Sequence, residues 1–210
     1  MSDHNFEQVI TTEEELRAIL GHPSQRAAEK VIDHIDDHCA ALIAHSPFLV
    51  IASADSNGNM DMSPKGDPEG FVKLLDEKTL VIPDRLGNRR GDTFSNIIQN
   101  PKVGLYFLAP GYRETLRVSG TAQIVRDTAL LESMSMKGKV PTLALVITVE
   151  NAFFHCAKCV IRSGLWEHEK WASIDGIPSL AEILIDHSSI DDPVEEIQKS
   201  LDDAYVNNVY

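Results

Sequence analysis

The sequence predicts a mainly β fold with flanking helices, an antiparallel barrel or sandwich, and three observations predict it. Short apolar segments with a two-residue alternation recur between residues 48 and 149. Gly, Asn, Asp and Pro stand between them at turn positions. The stretches before residue 47 and after residue 172 carry helical spacing instead. With no repeat, low-complexity tract or linker, residues 1–210 read as one domain: N-terminal helices (1–46), a β body (47–172) and an acidic helical tail (173–210).

In chain order, Thr12 and Glu15 have capping-box spacing, with Leu16 and Leu20 behind them. Ser24 is placed to cap a second, longer helix whose stripe runs Ala28, Val31, Ile32, Ile35, Cys39, Leu42, Ile43, until Pro47 ends it. Phe48–Ala54 is a short apolar strand, and Asn57-Gly58 supplies a hairpin turn because both residues tolerate positive φ. The next strand sets Met60 and Met62 on one face, Asp61 and Ser63 on the other. Thr79–Pro83 and Val103–Leu108 are further strands, separated by a short helix, Thr93–Gln99, that Asp92 can cap. Glu114–Val125 alternates, with Leu116, Val118, Ala122 and Ile124 on one side, and Leu143, Leu145, Ile147 and Val149 repeat the pattern. The tail reads as two short helices, the second starting at Asp192-Pro193 with Val194, Ile197 and Leu201 as its stripe.

Composition limits the function classes. Hydrophobic content of 43% and charged content of 24% fit a soluble globular chain. No apolar run approaches the roughly 18–20 residues of a spanning helix, and the acidic start has no signal-peptide pattern. Three cysteines, Cys39, Cys156 and Cys159, make no disulfide scaffold. A cytoplasmic protein without membrane contact is expected. The net charge of −13 argues against a nucleic-acid partner. Yet Arg85, Arg89, Arg90, Lys102, Arg113 and Arg117 crowd into one stretch with only Asp84, Asp92 and Glu114 among them. That asymmetry points to a small anion.

The segment Pro83-Asp84-Arg85-Leu86-Gly87-Asn88-Arg89-Arg90-Gly91-Asp92 leaves a strand, turns at glycine, presents adjacent arginines and enters a helix. Guanidinium groups give permanent, bidentate charge, and a helix start offers free N–H groups, so a phosphate dianion is well served. A solvated basic turn is the plain alternative. Ser63-Pro64-Lys65-Gly66-Asp67 combines a hydroxyl, a cation and a glycine-containing turn, and a simple surface loop explains it equally.

Four blocks, SPKGDPEGFV, TLVIPDRLGNRRGDTFSNIIQNPKVGLYFL, ETLRVSGTA and FFHCAKCVIRSGLW, occur in an order that resembles the FMN-binding split-barrel proteins related to pyridoxamine 5′-phosphate oxidase. Within them the chain is similar to an uncharacterised branch of FMN-dependent enzymes, over residues 12–170. The resemblance implies a six-stranded Greek-key split barrel and a homodimer with FMN at the interface. It implies that Arg89 and Arg90 grip the FMN phosphate, with Asn88 at the adjoining polar position and Arg85 as a further flavin or phosphate contact. Ser63, Pro64 and Lys65 match the strand end that lies along the isoalloxazine and ribityl chain. Thr115 falls where relatives often carry a glutamine that reaches the cofactor, and Arg117 follows on that strand, where a structural ion pair is equally suited. The Arg-x-His element that holds substrate phosphate in pyridoxamine phosphate oxidases has no counterpart after Trp166, so vitamin B6 oxidation is not expected.

The implied activity is an FMN-dependent oxidation or reduction of a small molecule, with no side chain assigned as acid, base or nucleophile. No GxGxxG fingerprint is present, so any NAD(P)H would bind only transiently. The alternatives are a flavin carrier or sensor without turnover, or a split barrel that holds haem or a deazaflavin; the paired arginines favour a phosphorylated ligand. Cys156-Ala157-Lys158-Cys159 invites a metal or redox reading, but it lies in an apparent strand. There the two thiols would face opposite ways, and packing in or beside the core is the expectation. His34 and His38 have metal-binding spacing on the predicted helix, where a solvated face is the simpler reading, and no metal site is expected. Trp166 and Trp171 suit either a flavin pocket or a dimer interface, and Arg162 and Ser163 have no assigned role.

Overall fold

The computed structural model describes residues 4–189 and 191–210. Helix α1 (Glu13–Leu20) opens with the predicted capping box between Thr12 and Glu15. The single long helix expected from Ser24 is two, α2 (Gln25–Glu29) and α3 (Asp37–His45). Asp36 breaks it: its carboxylate accepts from the Cys39 N–H at 2.8 Å, which favours a helix start over a helix interior. The freed backbone pairs elsewhere, Ile32 bridging to Ala152 and the Ile35 N–H donating to the Glu77 carbonyl. His34 therefore lies between helices while His38 lies in α3, and the two do not share a helix face.

Seven strands follow: β1 (Phe48–Ala54), β2 (Met60–Gly66), β3 (Lys73–Asp76), β4 (Thr79–Pro83), β5 (Lys102–Leu108), β6 (Thr115–Val125) and β7 (Ala144–His155). Helix α4 (Asp92–Gln99) precedes β5, and the short α5 (Thr128–Glu132) precedes β7. The strands form one antiparallel sheet in the order β2-β1-β5-β6-β7-β4-β3. That is one strand more than the six the resemblance implied. The strand that the sequence did not announce is β3, a four-residue, mostly exposed edge strand whose KLLD sequence lacks alternation.

β1 and β5 alternate buried and half-exposed residues along their length. Leu49, Ile51, Phe107, Leu116, Leu145 and Ile147 fill the inside together with Cys39, Leu42 and Ile43 of α3. The sheet curls. Asp67, just after β2 at one edge, and Arg85, just after β4 near the other, meet at 2.5 Å.

A β-bulge explains the length of β7. Ser119 pairs with Asn151 but Gly120 with Val149, so Glu150 is the extra residue. Its carboxylate accepts from Lys102 Nζ at 2.5 Å and Thr121 Oγ1 at 2.7 Å. Before the bulge Leu145, Ile147 and Val149 point inward; after it the phase shifts to Ala152. At this point the chains approach so closely that a Cβ on Gly120 would stand 2.1 Å from the Thr148 carbonyl oxygen.

After β7 come α6 (Lys158–Ser163), α7 (Leu180–His187) and α8 (Val194–Asn207). α7 opens with a capping box of Ser179 and Glu182, and α8 has no buried residue. No described helix is long and apolar enough to cross a membrane.

Candidate functional site

The loop between β4 and α4 divides into an anchored root and an exposed crown. At the root, the Asp84 N–H donates to the Leu143 carbonyl. Arg85 donates from Nε to Asp67 Oδ2 at 2.5 Å and from Nη1 to the Met134 carbonyl at 2.9 Å. The Asp67 side chain is 1% exposed, and it also accepts the Tyr210 hydroxyl at 2.7 Å. Arg85, which the resemblance offered as a cofactor contact, joins the end of β4 to the chain just after the edge strand β2. Burial pushes the Asp84 carboxyl above its ordinary pKa, and the Lys65 charge offsets part of that rise.

The crown, Leu86–Arg90, is exposed. Asn88 Oδ1 accepts the Arg90 N–H at 3.0 Å, folding the loop over itself, and Arg90 Nε donates to Asp92 Oδ2 at 2.7 Å. Arg89 has φ of 60°, a left-handed conformation that costs a non-glycine residue about 1 kcal/mol or more. Among the described residues its guanidinium has neither a hydrogen bond nor an ion pair. Gly91, with φ of 69°, occupies the N-cap of α4 and supplies no capping side chain, so the first N–H groups of α4 lack a side-chain cap. Two guanidinium groups beside uncapped N–H donors fit a phosphate dianion.

The second predicted block meets this loop from β2. Pleating puts Ser63 and Lys65 on the side of Leu49 and Ile51, where Lys65 Nζ lies 5.9 Å from the Phe94 ring of α4. On the same side the Thr93 hydroxyl donates to Asp61 Oδ2 at 3.3 Å. Pro64 points the other way, onto the open outer face of the sheet.

Thr115 stands apart. It pairs with His155 at one end of β7, whereas Pro83, the start of the arginine loop, pairs with Ala144 at the other. Eleven residues of extended strand separate those positions, about 35 Å along the chain. The Thr115 side chain is buried, and its Oγ1 has no hydrogen-bond partner among the described residues. Such an orphaned hydroxyl is uncommon in a folded interior.

Sequence reasoning missed a cavity of about 440 Å³ on the open face, lined by Val50, Ala52, Met62, Tyr106, Arg117 and Phe153. Arg117 lies 5.5 Å from the Phe153 ring centroid and forms no ion pair among the described residues. His155 is held below its ordinary pKa by burial and by the charges of Arg117 and Lys30. Only the outward half of each strand's alternation signals this surface, and those residues carry no motif.

The cysteine segment also differs from expectation. β7 ends at His155, and Cys156 and Cys159 straddle the start of α6 instead of continuing a strand. Both are exposed, not packed in the core. Trp166 donates from Nε1 to the Tyr112 carbonyl at 2.7 Å, and Trp171 donates to the Gly164 carbonyl at 3.2 Å.

Three solved structures illustrate what the chain is similar to. HupZ from Group A Streptococcus shares 25% identity, covering 57% of this chain and 93% of that one, with a TM-score of 0.47. An FMN-binding protein from Syntrophomonas wolfei shares 11% over 55% of this chain and 81% of its own, with a TM-score of 0.45. A Clostridium acetobutylicum protein related to general stress protein 26, of the pyridoxinephosphate oxidase family, shares 19% over 56% and 85%, with a TM-score of 0.41. A search among curated proteins found no match. The family model described as pyridoxamine 5′-phosphate oxidase matches residues 35–156, from the approach to α3 to the last residue before the α6 turn. That span is more than half of the chain and holds all seven strands, and the protein belongs to the pyridoxamine 5′-phosphate oxidase family.

Proposed function

We propose that the protein binds FMN and works as an FMN-dependent oxidoreductase on a small molecule, as a six-strand-cored split barrel paired into a homodimer. The observation that carries the reading is the exposed Arg89-Arg90 pair at the uncapped start of α4, with Arg89 in a strained conformation and without a protein partner among the described residues. Backbone strain of this kind clusters at ligand clamps and active sites.

Arg89 and Arg90 neutralise the phosphate, the α4 N–H groups donate to it, and Asn88 fixes the turn that presents both guanidinium groups. Lys65 and Ser63 line the approach along β2. Bound FMN supplies electron transfer at its isoalloxazine ring, while the protein supplies position and charge. Thr115, its hydroxyl enclosed within its own chain and far from the arginine loop, is left outside this site, and the homodimer pairs through other surfaces. The apolar outer face around Met62, Tyr106 and Phe153 is the surface such pairing would cover. A nicotinamide reductant would visit transiently.

The test is flavin titration of purified protein, followed by visible absorbance and fluorescence, against an Arg89→Ala/Arg90→Ala variant. We expect stoichiometric FMN uptake by the wild type and at least a tenfold weaker affinity in the variant. Failure of the wild type to bind FMN, with uptake of haem or a deazaflavin instead, overturns the reading.

A further inference from the structure

The FMN reading leaves Cys156-Ala157-Lys158-Cys159 unused. We propose that Cys156 and Cys159 are a redox-active dithiol that closes to an intramolecular disulfide by exchange with low-molecular-weight disulfides.

The backbone carries the argument. In an extended strand, residues three apart are about 10 Å from each other and point to opposite faces, which forbids a bridge. Here Ala157 is right-handed, with φ of −66° and ψ of −8°, and Lys158 is the first residue of α6. Two consecutive right-handed residues between the cysteines bring their Cα atoms to about 5 Å, as in one turn of helix. That lies within the roughly 4.4–6.8 Å that disulfides span. The Cys156 backbone, released from β7 and not yet in α6, can turn its side chain to meet Cys159.

Access distinguishes the pair from the third thiol. Cys156 and Cys159 are exposed, so a small disulfide reaches them from solvent. Cys39 is 1% exposed within the core, and burial together with the nearby Asp36 carboxylate pushes its thiol up to about 12. The molecule therefore carries two accessible thiols and one enclosed internal control. Among the described residues no three His, Cys, Asp or Glu side chains are placed to hold a metal. A dithiol reaction needs no third ligand.

The exchange balances. One thiolate attacks the small disulfide, forming a mixed disulfide and expelling one small thiol. The second thiolate attacks the protein sulfur of that mixed disulfide and expels the other. Two protein thiols and one small disulfide become one protein disulfide and two small thiols, with two electrons transferred.

Intact-mass analysis after incubation with glutathione disulfide, then alkylation under native conditions, tests the proposal. We expect wild-type protein to lose two hydrogens, carry no glutathione and take up no alkyl group, with Cys39 alkylating only after denaturation. Cys156→Ser and Cys159→Ser should each retain one stable glutathione adduct. Two glutathione adducts on the wild type, or two alkyl groups after the incubation, would overturn it. The readout is protein mass, so this result and the FMN titration stand or fall separately.

Discussion

The wall where β6 meets β7 and the crown of the β4–α4 loop use glycine and charge in opposite ways. At Gly120 there is no room: an added Cβ would sit 2.1 Å from a carbonyl oxygen of the neighbouring strand. At Gly91 there is nothing within 4 Å of the same atom, and the residue is required only for its positive φ. Charge follows the same division. Glu150 at the wall's bulge is held by Lys102 and Thr121, and Arg85 at the loop's root by Asp67 and Met134, while Arg89 in the crown is held by no described residue. The difference teaches that the loop is free at its tip because it is fastened at its base. A packed frame positions the strained turn, and the turn leaves Arg89 for a ligand while Arg90 pairs with Asp92.

The largest effect should come from filling the wall. Gly120→Ala forces a methyl group into backbone that cannot rotate away, and we expect a loss of about 3 kcal/mol in denaturant unfolding. Gly91→Ala, strained but unobstructed, should cost about 1 kcal/mol. Equal losses at the two positions would erase the distinction between wall and crown.

Second comes the root. Asp67→Asn leaves Arg85 facing a neutral group in a largely buried setting. Removing one partner of a buried pair costs about 3–5 kcal/mol, and the 16% exposure of Arg85 lowers the expectation to about 2–3 kcal/mol. The Arg89→Ala/Arg90→Ala variant should leave the unfolding curve close to that of the wild type, because only the exposed Arg90–Asp92 pair is lost. Unfolding curves of the two variants, measured together, show whether root and crown have separate duties. A crown variant as unstable as the root variant would mean that the arginines serve the fold.

How much of this is legible in the sequence depends on the range of the interaction. β6 announces itself through alternation, and β1 and β5 as short apolar runs, both local properties of the chain. β7 is readable only as far as Val149, because the Glu150 bulge shifts the phase and later inward residues fall out of step. The long helix fails at Asp36, where an apolar stripe continues on both sides of a cap and only Glu77 and Ala152 reveal that the backbone is paired elsewhere. For the site, local chemistry marks the Arg89-Arg90 crown. Nothing local marks Arg85 as different from them, because its partners lie 18 and 49 residues away. The cysteine pair misleads because its local pattern continues the strand past His155, and the turn that replaces it decides whether two thiols can meet.

The smallest effect sharpens the boundary between root and crown, which falls at Asp84. Burial raises the pKa of this carboxyl, and Lys65 offsets only part of that rise. The sign follows from proton counting. Between the ordinary carboxylate pKa and the raised one, the folded protein binds more protons than the unfolded chain, so stability falls as pH rises through that window. Above it the full cost of a half-buried carboxylate remains. Asp84→Asn removes the charge, and we expect the variant to be more stable than the wild type at pH 7, with the advantage shrinking as pH drops below the window. Unfolding measured from pH 4 to 8 on both proteins checks this. An Asn variant less stable at pH 7 would show that attraction between Asp84 and Lys65 outweighs burial. The carboxylate would then belong with the charge-bearing surface of the site, not with the frame beneath it.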